Sequence, residues 1–245
     1  MKESKRLIII GASGHGRVCA EIAELSGKYD CILFLDDRPV VKECGKYDVI
    51  GSSCDFLQYV NDKTEFFVSI GKFEHRKRIQ EKIEDADGLI ATLIHPKAVI
   101  SESVSIGAGS VVMPIAVINS ETRVGKGVII NTSASVDHDC IVGDWCHIAV
   151  GTHICGTVHI GNDCWIGAGA VVSNNLSICG DVIVGAGATV VKNIEECGTY
   201  IGVPAKMMKE SGVEPMNNKT SGTNPGGYYL SRTKAFQAVK NWRAA

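Results

Sequence analysis

The chain is short of three things that would place it quickly. It holds ten cysteines, yet no two stand at the C-x₂-C spacing that a zinc site or a redox motif uses. Its N-terminal apolar run, Leu7-Ile8-Ile9-Ile10, is four residues long and leads straight into glycines. Such a run makes neither a signal peptide nor a membrane span. Charge of one sign is missing too, since the formal net charge is −2. Because residues 211–245 carry five basic side chains against Glu214 alone, the rest of the chain holds about −6, and a nucleic-acid role has little electrostatic support. These absences describe a cytoplasmic chain with reduced thiols, no membrane span and no nucleic-acid partner.

What the chain has in abundance is period. Stepping six residues at a time from Ile94, every position through Ile100, Ile106, Val112 and onward to Val190 is Ile or Val, seventeen in all. Chance fills one such position about one time in five, so the run announces a repeat architecture. A second ladder, four residues after the first, runs from Ala98 to Ala188 and is mostly small: Ser110, Ala116, Thr122, Ala134, Cys140, Cys146, Thr152, Cys164, Ala170. One large β-branched and one small inward residue per six is what a triangular parallel β-helix needs. Eighteen residues then make one coil, and coils stack about 4.8 Å apart. The inward rows absorb Cys140, Cys146 and Cys164 as packing residues. No insertion interrupts residues 94–192, so the prism has no lid of its own, and an active site belongs on its faces, between neighbouring prisms of an oligomer.

Ahead of the repeat the pattern is α/β. A strand at 6–10 meets Gly11-Ala12-Ser13-Gly14-His15-Gly16, then a helical stretch through Val18, Ile22 and Leu25, then a strand at Cys31–Leu35 and the acidic pair Asp36-Asp37. A short strand near Val49-Ile50, a helix at Asp55–Val60, a strand at Phe66–Ile70, a charged helix at Glu74–Ile83 and a strand at Leu89–Ile94 follow. Ligands of such units bind beyond the carboxyl ends of the strands. That places Ser13, Gly14, His15, Asp36, Asp37 and Gly71 around one crevice, where a helix N-terminus offers an anion site. The glycines run G-x-x-G-x-G rather than G-x-G-x-x-G, which makes NAD a poor candidate. Two accounts of these residues stay open: a tight strand-to-helix turn with loop-capping aspartates, or a nucleotide site. His15 favours the second, since an imidazole among three glycines has little to pack against. The domains expected are 1–93, 94–209 and a tail at 210–245. In that tail Gly, Asn, Thr, Ser and Pro at 211–227 read as a linker, and Tyr228–Ala245 fits a basic amphipathic helix.

Four of the seven histidines fall between 138 and 159. His147, His153 and His159 occupy the same outward position of three successive hexapeptides, so they fall on three faces of one coil and cannot meet at a metal ion within one chain. No metal is expected. His138 differs, because Asp137 and Asp139 flank it at a corner. A carboxylate on one ring nitrogen raises the basicity of the other and suits general-base work. An exposed, charge-paired histidine is the plain alternative.

Taken together, GASGHG (11–16), FLDD (34–37), SIG (69–71), VDHDCIVGDWCHIAVG (136–151) and GVPAK (202–206) resemble the PglD/NeuD-like sugar acetyltransferases of bacterial glycan biosynthesis, colinearly over about residues 5–208. The resemblance implies a Rossmann-like domain followed by a left-handed parallel β-helix, a homotrimer, acetyl-CoA in the groove between adjacent β-helices, and a UDP-linked amino sugar held by the N-terminal domain. It implies His138 as catalytic base and Asp139 as its acidic partner, where the family often has Glu. His147, Gly156, Ala168 and Ala186 match acetyl-CoA contacts, the last standing where a relative has Gly. Ser13, Gly14, His15, Asp36, Asp37 and Gly71 match contacts to the nucleotide sugar. Lys72 and Phe73 depart from the small polar residues that relatives can carry there. The activity implied is acetyl transfer to the 4-amino group of a UDP-4-amino-4,6-dideoxy sugar. O-acetylation of a sialic acid or similar sugar is the rival enzyme, and a non-catalytic trimeric β-helix is the rival from another class.

Overall fold

A computed structural model describes residues 5–208. The linker and helix expected within 211–245 lie outside these residues. The N-terminal part is a four-stranded parallel sheet in the order β2-β1-β5-β6. Its elements in chain order are β1 (Arg6–Ile10), α1 (Gly14–Leu25), β2 (Cys31–Leu35), a hairpin of β3 (Glu43–Cys44) and β4 (Tyr47–Asp48), a 3₁₀ turn at Ser53–Tyr59, β5 (Thr64–Val68), α2 (Phe73–Glu84) and β6 (Leu89–Ile90). β1 and β5 are buried almost throughout because both faces of the sheet are covered, as in doubly wound units.

Two local expectations shift. The strand near Val49-Ile50 moves upstream into the hairpin, and Val49 keeps a single bridge to Phe34. Gly45, at φ +67, supplies the tight turn that the hairpin needs. The strand expected over Leu89–Ile94 divides. Ile90 pairs with Phe66 in the first sheet, whereas Leu93 pairs with Val111 in the β-helix, so the chain changes sheets at Ala91-Thr92.

From Leu93 the chain winds as a left-handed β-helix with three parallel faces. The first face takes Leu93–Ile94, Val111–Val112, Ile129–Ile130, His147–Ile148 and Trp165–Ile166. Ser135–Val136 and His153–Ile154 lie on the second, and Ile141–Val142 and His159–Ile160 on the third. Register partners are 18 apart through Val172↔Val190, and then tighten to 16 at Val184↔Tyr200 and Ile178↔Ile194, where the helix closes. The Ile/Val ladder is buried from Val112 to Val190. The first coil is the exception, with Ile94 42% exposed and Ile100 and Ile106 only partly buried, because no coil lies beneath it.

Two regularities explain the corners. The third residue after each ladder residue is left-handed from Gly109 to Gly187, in fourteen successive corners. Gly, Asp or Asn fills nine of these (Gly109, Gly127, Asp139, Gly151, Asp163, Gly169, Asn175, Asp181, Gly187), the residues that tolerate that region best. The small ladder is also more than small. Ser110 Oγ donates to Gly125 O at 2.8 Å and accepts from Val128 N at 2.9 Å. Thr122 does the same with Asp137 O and Cys140 N, and Cys140 with Cys155 O and Val158 N. Each hydroxyl or thiol therefore satisfies corner groups that a buried chain cannot leave to water.

The two parts share a core. Leu93, Val111, Met113 and Ile129 pack with Leu7, Ile9, Cys19, Ile22 and Phe34, which sets α1 against the first face. Helix α2 covers the other side of the sheet through Ile83. It turns a second stripe, Arg76, Gln80 and Glu84, toward the corner between the third and first faces. No described helix is long and apolar enough to cross a membrane.

Candidate active site

His138 sits at the corner between the second and third faces, next to the left-handed Asp139. That backbone turn folds the carboxylate back, so that Asp139 Oδ2 lies 2.8 Å from His138 Nδ1. Asp137 faces the other way and accepts from His138 N and from Asn119 Nδ2, each at 2.8 Å. The Asn119 bond, with that from the His138 amide, holds the Asp137 carboxyl below its ordinary range. The imidazole is exposed, and its pKa is raised above the usual 6.5, first by the bond to Asp139 and then by the charges of Asp137 and Asp139. With Nδ1 giving its proton to the carboxylate, Nε2 carries the lone pair. One coil on, a Cβ at Gly156 would stand 2.6 Å from that Nε2. Glycine there keeps the basic edge of the ring clear.

The crevice of the α/β part is assembled as its strand order requires. Ile10 of β1 is in register with Leu35 of β2 and Val68 of β5, so Gly11–Gly16, Asp36-Asp37 and Ser69–Gly71 meet beyond the carboxyl ends of these strands. Much of this set also holds the crevice together. Ser13 caps α1 by accepting from Gly16 N. Asp36 accepts from Ala12 N at 2.7 Å and pairs with Arg38 at 2.8 Å, while Arg38 donates to Ala12 O. Burial opposes the Asp36 charge, but the bonds from Arg38 and Ala12 outweigh it and keep the carboxyl below its usual range. Asp37 accepts from Ser53 N at 2.8 Å. The capping account and the ligand account of these residues are therefore not exclusive. Gly14 is exposed at the start of α1. His15 lies 3.8 Å from Cys19 Sγ, and burial, reinforced by the charge of Arg76, pushes its pKa down to about 4. A neutral ring at ordinary pH offers one donor and one acceptor.

His147, His153 and His159 fall on the first, second and third faces. The ring of His147 lies 4.4 Å from that of Trp165, and its Nε2 is 3.0 Å from Asn131 Nδ2. Ala168 and Ala186 stack at the corner between the first and second faces, and Gly156 stacks on His138 at the next corner. The corner holding His138 lies opposite the first face. One chain thus divides the expected residues into two groups: His138, Asp139 and Gly156 at one corner, and His147, Ala168 and Ala186 around the first face. Cys140 is buried, and burial raises its thiol pKa, so it stays a packing residue. Arg76, Asn131, Trp165 and Asn119 belong to these surroundings and were not singled out by the sequence. Asn119 stands 18 residues before Asp137 and Trp165 stands 18 after His147, so the period alone could have flagged both.

Residues 6–83 match the PglD N-terminal domain. The acetyltransferase domain of PglB from Neisseria gonorrhoeae, solved alone and with acetyl coenzyme A, is 38% identical, covers 84% of this chain and 100% of that one, and superposes with a TM-score of 0.80. PerB from Caulobacter crescentus, solved with CoA and GDP-perosamine, is 34% identical over 83% of this chain and 97% of that one, with a TM-score of 0.77. UDP-N-acetylbacillosamine N-acetyltransferase of Bacillus subtilis is 32% identical over 111 residues, 44% of this chain, and the match spans 51% of that enzyme, about half its length. Since the likeness to the gonococcal domain runs through the α/β part and the β-helix alike, the chain belongs to the PglD-like family of bacterial sugar acetyltransferases.

Proposed function

We propose that the protein is an acetyl-CoA-dependent N-acetyltransferase that acylates the 4-amino group of a nucleotide-linked 4-amino-4,6-dideoxy sugar, with a UDP sugar as the preferred acceptor. The observation that carries the proposal is the His138–Asp139 pair, a histidine of raised pKa whose free nitrogen looks out past Gly156. The uncharged 4-amino group attacks the thioester carbonyl, and His138 Nε2 takes the proton it sheds. As the tetrahedral intermediate collapses, the C–S bond breaks, the N–C bond remains, and the thiolate leaves as CoA. Donors in the groove, His147 among them, stabilise the oxyanion. Both substrates meet at one site, so no acyl-enzyme is required and proximity supplies much of the rate.

In this proposal Ser13, Gly14, His15, Asp36, Asp37 and Gly71 hold the nucleotide sugar, and His147, Gly156, Ala168 and Ala186 line the acetyl-CoA groove. The division of one chain's residues between a corner and the face opposite supports a homotrimer, in which the corner of one copy works against the first face of its neighbour. The proposed domains are 1–93 for the acceptor and 94–209 for transfer. The UDP preference follows the bacillosamine enzyme, and PerB makes a GDP sugar the necessary comparison. The test is thiol release from acetyl-CoA with UDP-4-amino-4,6-dideoxyhexose, GDP-perosamine and free sialic acid as acceptors. CoA release with the UDP sugar is expected. Release with sialic acid alone would replace N- by O-acetylation, and no release with any acceptor would overturn the enzyme.

A further inference from the structure

Arg76 is 1% exposed and is one of the largest fully buried side chains. Its guanidinium donates four hydrogen bonds to main-chain oxygens of both parts of the molecule. Nη1 donates to Ile70 O at 2.8 Å and Gly71 O at 3.0 Å, the turn after β5 that forms one wall of the crevice. Nε donates to Gly127 O at 2.9 Å and Nη2 to Trp145 O at 3.1 Å, on two successive coils of the β-helix. Trp145 stands two residues before His147, and after burial the charge of Arg76 is the second cause that holds the His15 pKa down. A planar fork with five fixed donors suits four carbonyls from two sides, and an ammonium does not.

We propose that Arg76 is a positioning residue for the acceptor: it holds the Ile70-Gly71 turn and the coils that carry His147 as one unit, and so fixes where the nucleotide sugar lies relative to the acetyl-transfer face. The proposal deepens the acetyl-transfer assignment above and rests on it for the identity of the ligand. The surroundings give it an internal control. Gln80, one turn further along the same stripe of α2, is also 1% exposed, but its hydrogen bonds go to Ala108 O of the β-helix and to Glu84, and not to the Gly71 turn. Gln80 belongs to the docking of α2 alone.

The test compares wild type, Arg76→Lys and Gln80→Ala by calorimetric titration with UDP-4-amino-4,6-dideoxyhexose and GDP-perosamine, by KM for each substrate, and by hydrogen exchange. Arg76→Lys is expected to weaken sugar-nucleotide binding about tenfold, in keeping with the cost of a small misplacement. Its KM for acetyl-CoA should stay within about twofold of wild type. Exchange at the bonded amides of Ser69 and Arg76 should quicken while the coils keep their protection. Gln80→Ala should leave sugar binding near wild type. Equal losses for both substrates in Arg76→Lys, or equal losses of sugar binding in the two variants, would reduce Arg76 to a packing residue and overturn the proposal. Should Arg76→Lys not fold, wild-type exchange in a urea series decides instead. The turn at 69–76 and the coils at 127–147 must lose protection together, and earlier opening of the turn overturns the proposal. A wild type that releases no CoA with any acceptor sinks acetyl transfer alone, because the exchange comparison still tests what Arg76 holds.

Discussion

The two halves of the molecule assign work to residues differently. In the β-helix, period separates structure from chemistry. Inward rows such as Val136, Ile154 and Cys140 are fully buried, while His138 and Asp139 project outward and are more than half exposed. In the α/β half the same residues serve both ends. Ser13 caps a helix, Asp36 pins Ala12 and Arg38, Asp37 secures Ser53 and Gly71 O is held by Arg76. Substitution at the outward corner is therefore expected to leave stability nearly unchanged, and substitution in the crevice is expected to lower it.

The largest effect expected tests the first half of that contrast. His138→Ala should lower kcat/KM by about 10²–10⁴, the ordinary contribution of a general base, with no change in melting temperature, because the ring is exposed and its lost bond lies at the surface. Full activity in this variant would remove His138 from the chemistry. A fall in both activity and melting temperature would break the separation itself. Asp36→Ala should then show the opposite behaviour. It leaves Ala12 N and Arg38 without their shared acceptor, so stability should fall by about 1.5–3 kcal/mol, the range for a hydrogen bond to a charged group, and sugar-nucleotide affinity should fall with it. Denaturant unfolding and calorimetric titration of the same sample separate the two losses. Weakened binding at unchanged stability would show that the α/β half divides its labour as the β-helix does. An inward substitution completes the contrast. Ser110→Ala removes both the donor to Gly125 O and the acceptor for Val128 N and should cost about 1–3 kcal/mol. Thiol release by the folded fraction should stay at the wild-type rate.

What the sequence could convey follows the same line. The ladder, its eighteen-residue coil, the burial of Cys140, Cys146 and Cys164 and the dispersal of His147, His153 and His159 over three faces were all legible, because a residue's phase fixes its side and its neighbour lies 18 positions away. The left-handed corners were there to be read in the recurrence of Gly, Asp and Asn three places after the ladder, and were missed because the large residues Ile115, Glu121 and Trp145 interrupt it. Hydroxyl and thiol bridges between coils were missed because Ser, Thr and Cys pass as merely small. In the α/β half the strand-end residues were legible from element order alone. Arg76 was not, since its partners lie at 70, 71, 127 and 145, and no local pattern links them. Its spacing of four to Gln80, and of four again to Glu84, was the only trace, a polar stripe on a helix that gives no sign of being buried.

The smallest effect concerns the pair on which catalysis is proposed to turn. Asp139 raises the His138 pKa by accepting its Nδ1 proton and by its charge. A base must be unprotonated to act, so activity should rise with pH through that pKa, which lies above the usual 6.5. Asp139→Asn keeps an acceptor of similar shape but removes the charge that favours imidazolium. The acid limb of the pH–rate profile should therefore move to lower pH, while the plateau falls because a less basic nitrogen is a weaker base. Both side chains are more than half exposed, and solvent and salt screen such a pair. The displacement should accordingly shrink as ionic strength increases, which a profile measured at low and at high salt would register. If the limb stays in place in Asp139→Asn, the group titrating in the profile is not His138 held by Asp139, and the outward corner loses its claim to be independent of its surroundings.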